Sequence, residues 1–198
     1  FLPVAKLPLP GETVLSPAHE MFAGGKGANQ ALAAVRTGAK VAMVGRVGDD
    51  SMGLRILNGL RRDGVMTSGV AQSEKPTGLA IIITDKNGEC EIVVSTGAND
   101  DVVADQVPDE ILKPKNILLM QMETPAAENS KLLERAKKRG ATTMLNLAPA
   151  IQISQGVSKA SYIQSIIFKK EIGIDIFNTL SQAFPHWSFV RTDTNPYL

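Results

Sequence analysis

The chain has 198 residues, 43% of them hydrophobic and 21% charged, with a formal net charge of +1. This length suits one domain, or one domain with an appendage, and should bury roughly 70% of the unfolded surface without disulfide or metal staples. Acids and bases are interspersed, which argues against nucleic acid or an anionic membrane as a partner.

Residues 1–16, "FLPVAKLPLPGETVLS", form an extended segment punctuated by Pro and Gly. The glycine-rich stretch "FAGGKGANQALAAVRTGAK" (22–40) follows, with an alanine-rich helix expected over 29–37 and Gly38 at its C-terminal cap. "KVAMVG" (40–45) is a short apolar run between breakers, the pattern of a buried strand. A second amphipathic helix is expected within 49–64, capped by Asp50 or Ser51, with Leu54, Leu57 and Leu60 on one face. In 78–95 two β-branched runs flank Lys86-Asn87-Gly88, a strong hairpin signal. "NILLMQME" (116–123) and "ATTMLNLAPA" (141–150) read as buried strands. Between them 124–140 reads as a helix, with Pro125 in its first turn, basic residues in its last and Gly140 beyond.

Strands alternating with helices imply β-α-β units, and hence an α/β fold with a parallel sheet flanked by helices. Such sheets place ligands at the carboxyl ends of their strands, where Glu123 and Asn146 fall. The hairpin interrupts the alternation and is expected to project as a flap. Composition changes at residue 151: the last 48 residues hold seven of nine aromatics but only seven of 41 charged residues. Helices around 158–170 and 171–183 are compatible with that tail, but the β-α-β rhythm does not continue. Cys90 is the one cysteine and His19 and His186 the two histidines, which leaves no disulfide framework and disfavours a zinc centre. No apolar run reaches the roughly 18–20 residues that span a bilayer and no signal peptide is visible, so a cytoplasmic setting is expected. The chain opens on Phe1 rather than Met, and residue 1 is not expected to be the biological start.

The glycine stretch invites a phosphate-loop reading. In Gly25-Lys26-Gly27, however, the lysine comes too early for a Walker A loop and no Ser or Thr follows it. Gln30 stands where a dinucleotide fingerprint needs its third glycine. Both nucleotide readings fail on spacing. What remains is a loop at a helix start displaying an ammonium (Lys26) and an amide (Asn29), the donor-and-acceptor mixture that sugar hydroxyls need. Gly24 and Gly25 would let the backbone approach a polyol ring. On these residues alone, a plain helix N-terminus with Asn29 facing solvent is an equal alternative.

Gly24, Gly25, Gly27, Asn29, Ala31, Gly38 and Gly48 fall at the spacings of the first signature of the ribokinase (PfkB) family of carbohydrate kinases. The resemblance continues through "LPLPGETV" (7–14), "GRVGDDSMG" (45–53), "DGVMTSGV" (63–70), "TGLAIII" (77–83), "STGAND" (95–100), "LLMQMETP" (118–125) and "LNLAPA" (145–150). It covers residues 3–150, with 151–198 as a tail without family resemblance. It implies a ribokinase-like sheet with a β-hairpin lid, and ATP-dependent phosphorylation of a primary sugar hydroxyl with Mg²⁺, a monovalent cation being compatible with it. The resemblance assigns Gly24, Gly25, Lys26, Asn29 and Glu123 to sugar binding. Ala80 and Ile82 become apolar lid contacts, spaced by two and so on one strand face. It also implies a homodimer paired through the lids. Asp49 and Asp50, though a carboxylate pair, read as helix-capping residues.

Two departures qualify this. The family's N-terminal Asn-x-Asp element is not found here, nor are its Asn-x-x-Glu and Gly-Ala-Gly-Asp elements, which serve metal, phosphates and proton abstraction. "EIGID" (171–175) is a near miss that arrives too early, so Asp175 is not expected to be catalytic and no catalytic residue is assigned. The expectation is a truncated ribokinase-like chain that lacks its ATP site and has no kinase activity, with a tail of foreign character. Two alternatives stand beside it: a non-catalytic sugar-binding or dimerising remnant, and a kinase for another substrate such as fructose, adenosine or 2-keto-3-deoxygluconate. "GGKGANQA" with "MQMETP" favours ribose.

Overall fold

The computed structural model describes residues 1–146, together with the backbone of two strands at 165–169 and 188–192. It divides into two compact units, Phe1–Asp100 and Asp101–Leu198.

In the first unit, helix α1 (Lys26–Arg36) precedes strand β2 (Ala42–Gly48), helix α2 (Ser51–Arg62) and strand β3 (Met66–Ser73). β2 and β3 pair in parallel, with the register shifting between Ala42 and Val44. Ala31 of α1, Leu60 of α2 and Val65 are buried together, with Ala28, Leu32, Val35, Val41, Met43 and Ile56 packed around them. The apolar stripes of both helices therefore close on this strand pair, as amphipathic helices in a β-α-β unit must.

Asp50 starts α2 and also ties down the hairpin that follows. Its Oδ1 accepts the Gly53 N–H at 2.7 Å and the Thr77 hydroxyl at 2.7 Å, while its Oδ2 accepts the Thr77 N–H at 2.8 Å. The Thr77 hydroxyl in turn accepts the Gly48 N–H at 3.0 Å. One carboxylate thus caps a helix and joins the end of β2 to the segment entering strand β4 (Leu79–Thr84). Those bonds hold the Asp50 carboxyl below the usual aspartate range, the Thr77 N–H contributing most.

β4 pairs antiparallel with β5 (Cys90–Ser95), from Leu79 opposite Ser95 to Thr84 opposite Cys90. The short strand β1 (Leu2–Pro3) runs parallel to β4 on its other side. The hairpin turn is fixed by Asp85, whose Oδ1 accepts from the N–H groups of Asn87 and Glu89, and by Gly88 at φ 83°. Every residue of β5 is exposed.

In the second unit, strand β6 (Ile117–Gln121), helix α3 (Ala126–Arg139) and strand β7 (Thr142–Asn146) form a parallel β-α-β step. α3 packs on β7 and on two 3-10 turns, Ala104–Gln106 and Asp109–Ile111. Leu133 and Leu145 are the largest fully buried side chains among the described residues. The Arg135 guanidinium binds the carbonyls of Ala104 and Val107 at 2.8 Å each and the Asp109 carboxylate at 2.7 Å, pinning both turns to α3. Strands β8 (Ser165–Lys169) and β9 (Ser188–Thr192) pair in parallel.

Several expectations need correction. α1 begins at Lys26, three residues before the expected Asn29, because Gly25 at φ 100° supplies the entry with no side-chain cap to mark it. Leu54 is 58% exposed; the buried stripe of α2 is Gly53, Leu57 and Leu60, at the i, i+4, i+7 spacing of a helix face. Asp49 does not cap α2 but accepts from the Gln72 amide at 3.1 Å. Ser165–Lys169, within the helix expected around 158–170, is a strand, and its "SIIFK" composition suits that state. The helix expected over 171–183, and Asp175 with it, lie outside the described residues.

Candidate functional site

The candidate residues of the first unit lie on a loop and helix start and on the hairpin. Gly24 and Gly25 end the loop before α1, and a Cβ built on either would meet no atom within 4 Å. Gly25 also has φ 100° and ψ 140°, a conformation that L side chains rarely adopt. Its carbonyl accepts the Asn29 N–H at 2.9 Å, the first helical bond of α1.

Lys26 and Asn29 stand three positions apart on α1, so their side chains are neighbours one turn apart on one face. Ala28, Ala31, Leu32 and Val35 hold the opposite, core-facing side. Gln30, whose only role in the sequence is to break the dinucleotide fingerprint, shares the polar face; its i+4 spacing from Lys26 is the signal that could have found it. The three side chains are half-buried. The first turn of α1 carries no acidic residue, so the site presents an ammonium and amides beside exposed backbone. This set suits neutral hydroxyls, which both donate and accept.

On the hairpin, Ala80 and Ile82 share one face with Val94 and Ile92, their partners across the strands. Leu79, Ile81 and Val93 occupy the other face, 42%, 41% and 63% exposed. The hairpin therefore shows apolar side chains on both faces, whereas antiparallel sheets commonly keep one face polar toward solvent.

Glu123 belongs to the second unit, two residues past the end of β6. Gln121 pairs with Asn146 at the ends of β6 and β7, so Glu123 and Asn146 both fall at carboxyl strand ends, as β-α-β geometry predicts for a ligand site. Glu123 is half-buried and its neighbour Met122 is buried. The turn around it is held by the Asn129 side chain. This amide donates to the Gln121 carbonyl at 3.0 Å and accepts the Thr124 hydroxyl at 2.9 Å. Asn129 and Thr124 do not stand out in the sequence; an amide within the apolar stripe of α3 was the available signal.

Among the described residues no group of three or more His, Cys, Asp or Glu could hold a metal ion, and the glycine loop opens onto a cation rather than a carboxylate. Among the described residues no helix is long and apolar enough to cross a membrane.

A family model described as pfkB family carbohydrate kinase matches residues 2–170. The chain is 40% identical over 148 residues to a ribokinase of Schizosaccharomyces pombe, covering 71% of this chain and 46% of that protein. Among solved structures it resembles ribokinase from Thermotoga maritima, with a TM-score of 0.77, 26% identity, and coverage of 94% of this chain and 59% of that one. Arabidopsis thaliana ribokinase, solved with ribose and ATP, shares the fold with a TM-score of 0.76 at 23% identity, over 96% of this chain and 67% of that one. The chain spans about half the length of the curated relatives it matches, 46% and 47% of the first two.

Proposed function

The chain belongs to the pfkB family of carbohydrate kinases, and from that premise we propose that it carries the sugar-holding part of a kinase. That kinase transfers the terminal phosphoryl group of ATP, with Mg²⁺, to the primary hydroxyl of ribose. The observation that carries this reading is the open backbone at Gly24 and Gly25 directly before the polar face of α1. A flat ring can reach main-chain atoms there, while Lys26 donates to its hydroxyls and Asn29 donates and accepts. In the second unit, the family resemblance assigns Glu123 to sugar hydroxyls, from which its carboxylate accepts. Ribose is favoured over other sugars because the ribokinases of three organisms match at 38–40% identity.

The two apolar faces of the hairpin support two roles. Ala80 and Ile82 cover the sugar and exclude water, while the face bearing Leu79, Ile81 and Val93 pairs with the same face of a second copy. The protein works as a homodimer in the reducing cytoplasm, where the exposed Cys90 remains a thiol.

Phosphoryl transfer needs a preorganised anion hole and a base. The sequence contains no Gly-Ala-Gly-Asp turn to supply them. The 198-residue chain therefore binds ribose without phosphorylating it. Calorimetric titration with ribose, beside an assay for ADP release from ATP, tests both halves: saturable heat with no ADP release supports the reading. Absence of binding overturns the sugar site, and ribose-dependent ADP release overturns the inactivity.

A further inference from the structure

The buried stripe of α3 reads Asn129, Leu132, Leu133 and Ala136, 7%, 8%, 1% and 0% exposed. Three of these are the apolar residues that an amphipathic helix turns inward; the fourth is an amide. Burying an amide is unfavourable unless its donors and acceptor find partners, and a leucine would cover the same stripe without that cost. Asn129 therefore has a task other than packing, and its hydrogen bonds show what it is. Nδ2 donates to the Gln121 carbonyl and Oδ1 accepts the Thr124 hydroxyl. The two partners lie on either side of Met122-Glu123, so the side chain closes residues 121–124 into a fixed turn against the first turn of α3. The Asn129 N–H is engaged separately, with the Pro125 carbonyl at 3.0 Å, as in any helix.

We propose that Asn129, with Thr124, is a positioning residue that sets the Glu123 carboxylate for its ligand. This rests on the assignment of Glu123 to sugar binding above. A carboxylate on an untethered turn must be ordered when the sugar binds, at a cost in affinity; one on a clamped turn is ordered beforehand. Around metal sites, replacing a group that orients a ligating side chain commonly costs about 10- to 100-fold, and a loss at the lower end of that range is expected for a sugar-binding carboxylate.

The test is ribose affinity by calorimetry on the whole chain, with thermal melts to establish folding. The variants are E123A, N129L, E123A/N129L, T124V and T124S. N129L keeps the apolar volume of the stripe but cannot hold the turn; T124V removes one hydroxyl and serves if N129L does not fold. N129L and T124V are expected to weaken ribose about tenfold, T124S to bind as the wild type, and N129L to add nothing once Glu123 is alanine. That last result is one a merely structural role would not give, since independent effects add. The proposal is overturned if N129L, or T124V in its place, binds within about twofold of wild type while E123A is weakened. Additive losses in E123A/N129L also overturn it. If E123A itself binds ribose as tightly as the wild type, the assignment of Glu123 has failed, and the role given to Asn129 falls with it.

Discussion

Alanine at Gly24 and at Gly25 should differ in its effect on stability, because only Gly25 sits at positive φ. Gly24 is not among the glycines at positive φ, and its added Cβ would meet nothing within 4 Å. Gly24→Ala should therefore leave unfolding unchanged within about 0.5 kcal/mol. Gly25 also has open space around it, but at φ 100° an alanine is strained, which should cost about 1–3 kcal/mol. In a chain of this size that is about 2–4 °C of melting temperature for each kcal/mol. Affinity separates the two in another way. If a sugar ring sits against the backbone at Gly24, the new methyl group occupies that contact, and overpacking of this kind costs about 1–3 kcal/mol. The corresponding loss is about 5- to 150-fold in ribose affinity. Thermal melting and calorimetric titration of the two variants read both quantities. A Gly24→Ala protein that melts normally and binds ribose as tightly as the wild type would refute the placement of the sugar at this loop.

Two further outcomes follow from the same structure. The Asp50 carboxyl titrates below its ordinary value near 3.8 in the folded chain, through the Thr77 N–H first and then the Gly53 N–H; Asp109 is lowered likewise by Arg135. Groups lowered in the folded state contribute stability that is present above their unfolded values and lost as pH falls through the folded ones. Urea unfolding from about pH 6 to about pH 3 should thus show a steep acid loss, shallower in Asp50→Asn; identical acid limbs would contradict the role given to Asp50. For the lid, Val93→Lys places a charge at a position 63% exposed. If that face pairs two copies as proposed, the variant should sediment as a monomer with a melting temperature that no longer rises with protein concentration, and an unaltered oligomeric state would remove that face from the interface.

Much of this architecture is legible in the sequence wherever local chemistry and tertiary packing agree. The hairpin is one such case: Asp85 and Gly88 dictate the turn, and the β-branched runs on either side can only pair. The Asp50 cap is another, since a short carboxylate before an apolar-periodic run has few better partners than the free N–H groups of that helix. Strand β3 is harder to read because "MTSGVAQS" has little alternation, and its inward residues Thr67 and Ser73 are polar. Leu54 is expected inward from the sequence because residues three apart fit a helix face as well as residues four apart, and only packing decides which row turns inward. The start of α1 escaped because its signal is a backbone angle rather than a capping side chain.

The candidate site divides in the same way. Glycine spacing and the strand-end position of Glu123 can be read along the chain, because both follow from backbone geometry. The Asn129 clamp cannot, since a polar residue on a core-facing row resembles an ordinary break in the apolar pattern until its partners, Gln121 and Thr124, are seen to bracket Glu123.

The most direct test of the central claim is a calorimetric titration of the 198-residue chain with ribose. Saturable binding of ribose, weakened in Gly24→Ala and, separately, in Glu123→Ala, is the predicted result. A folded wild-type chain that takes up no heat with ribose at any concentration would contradict it.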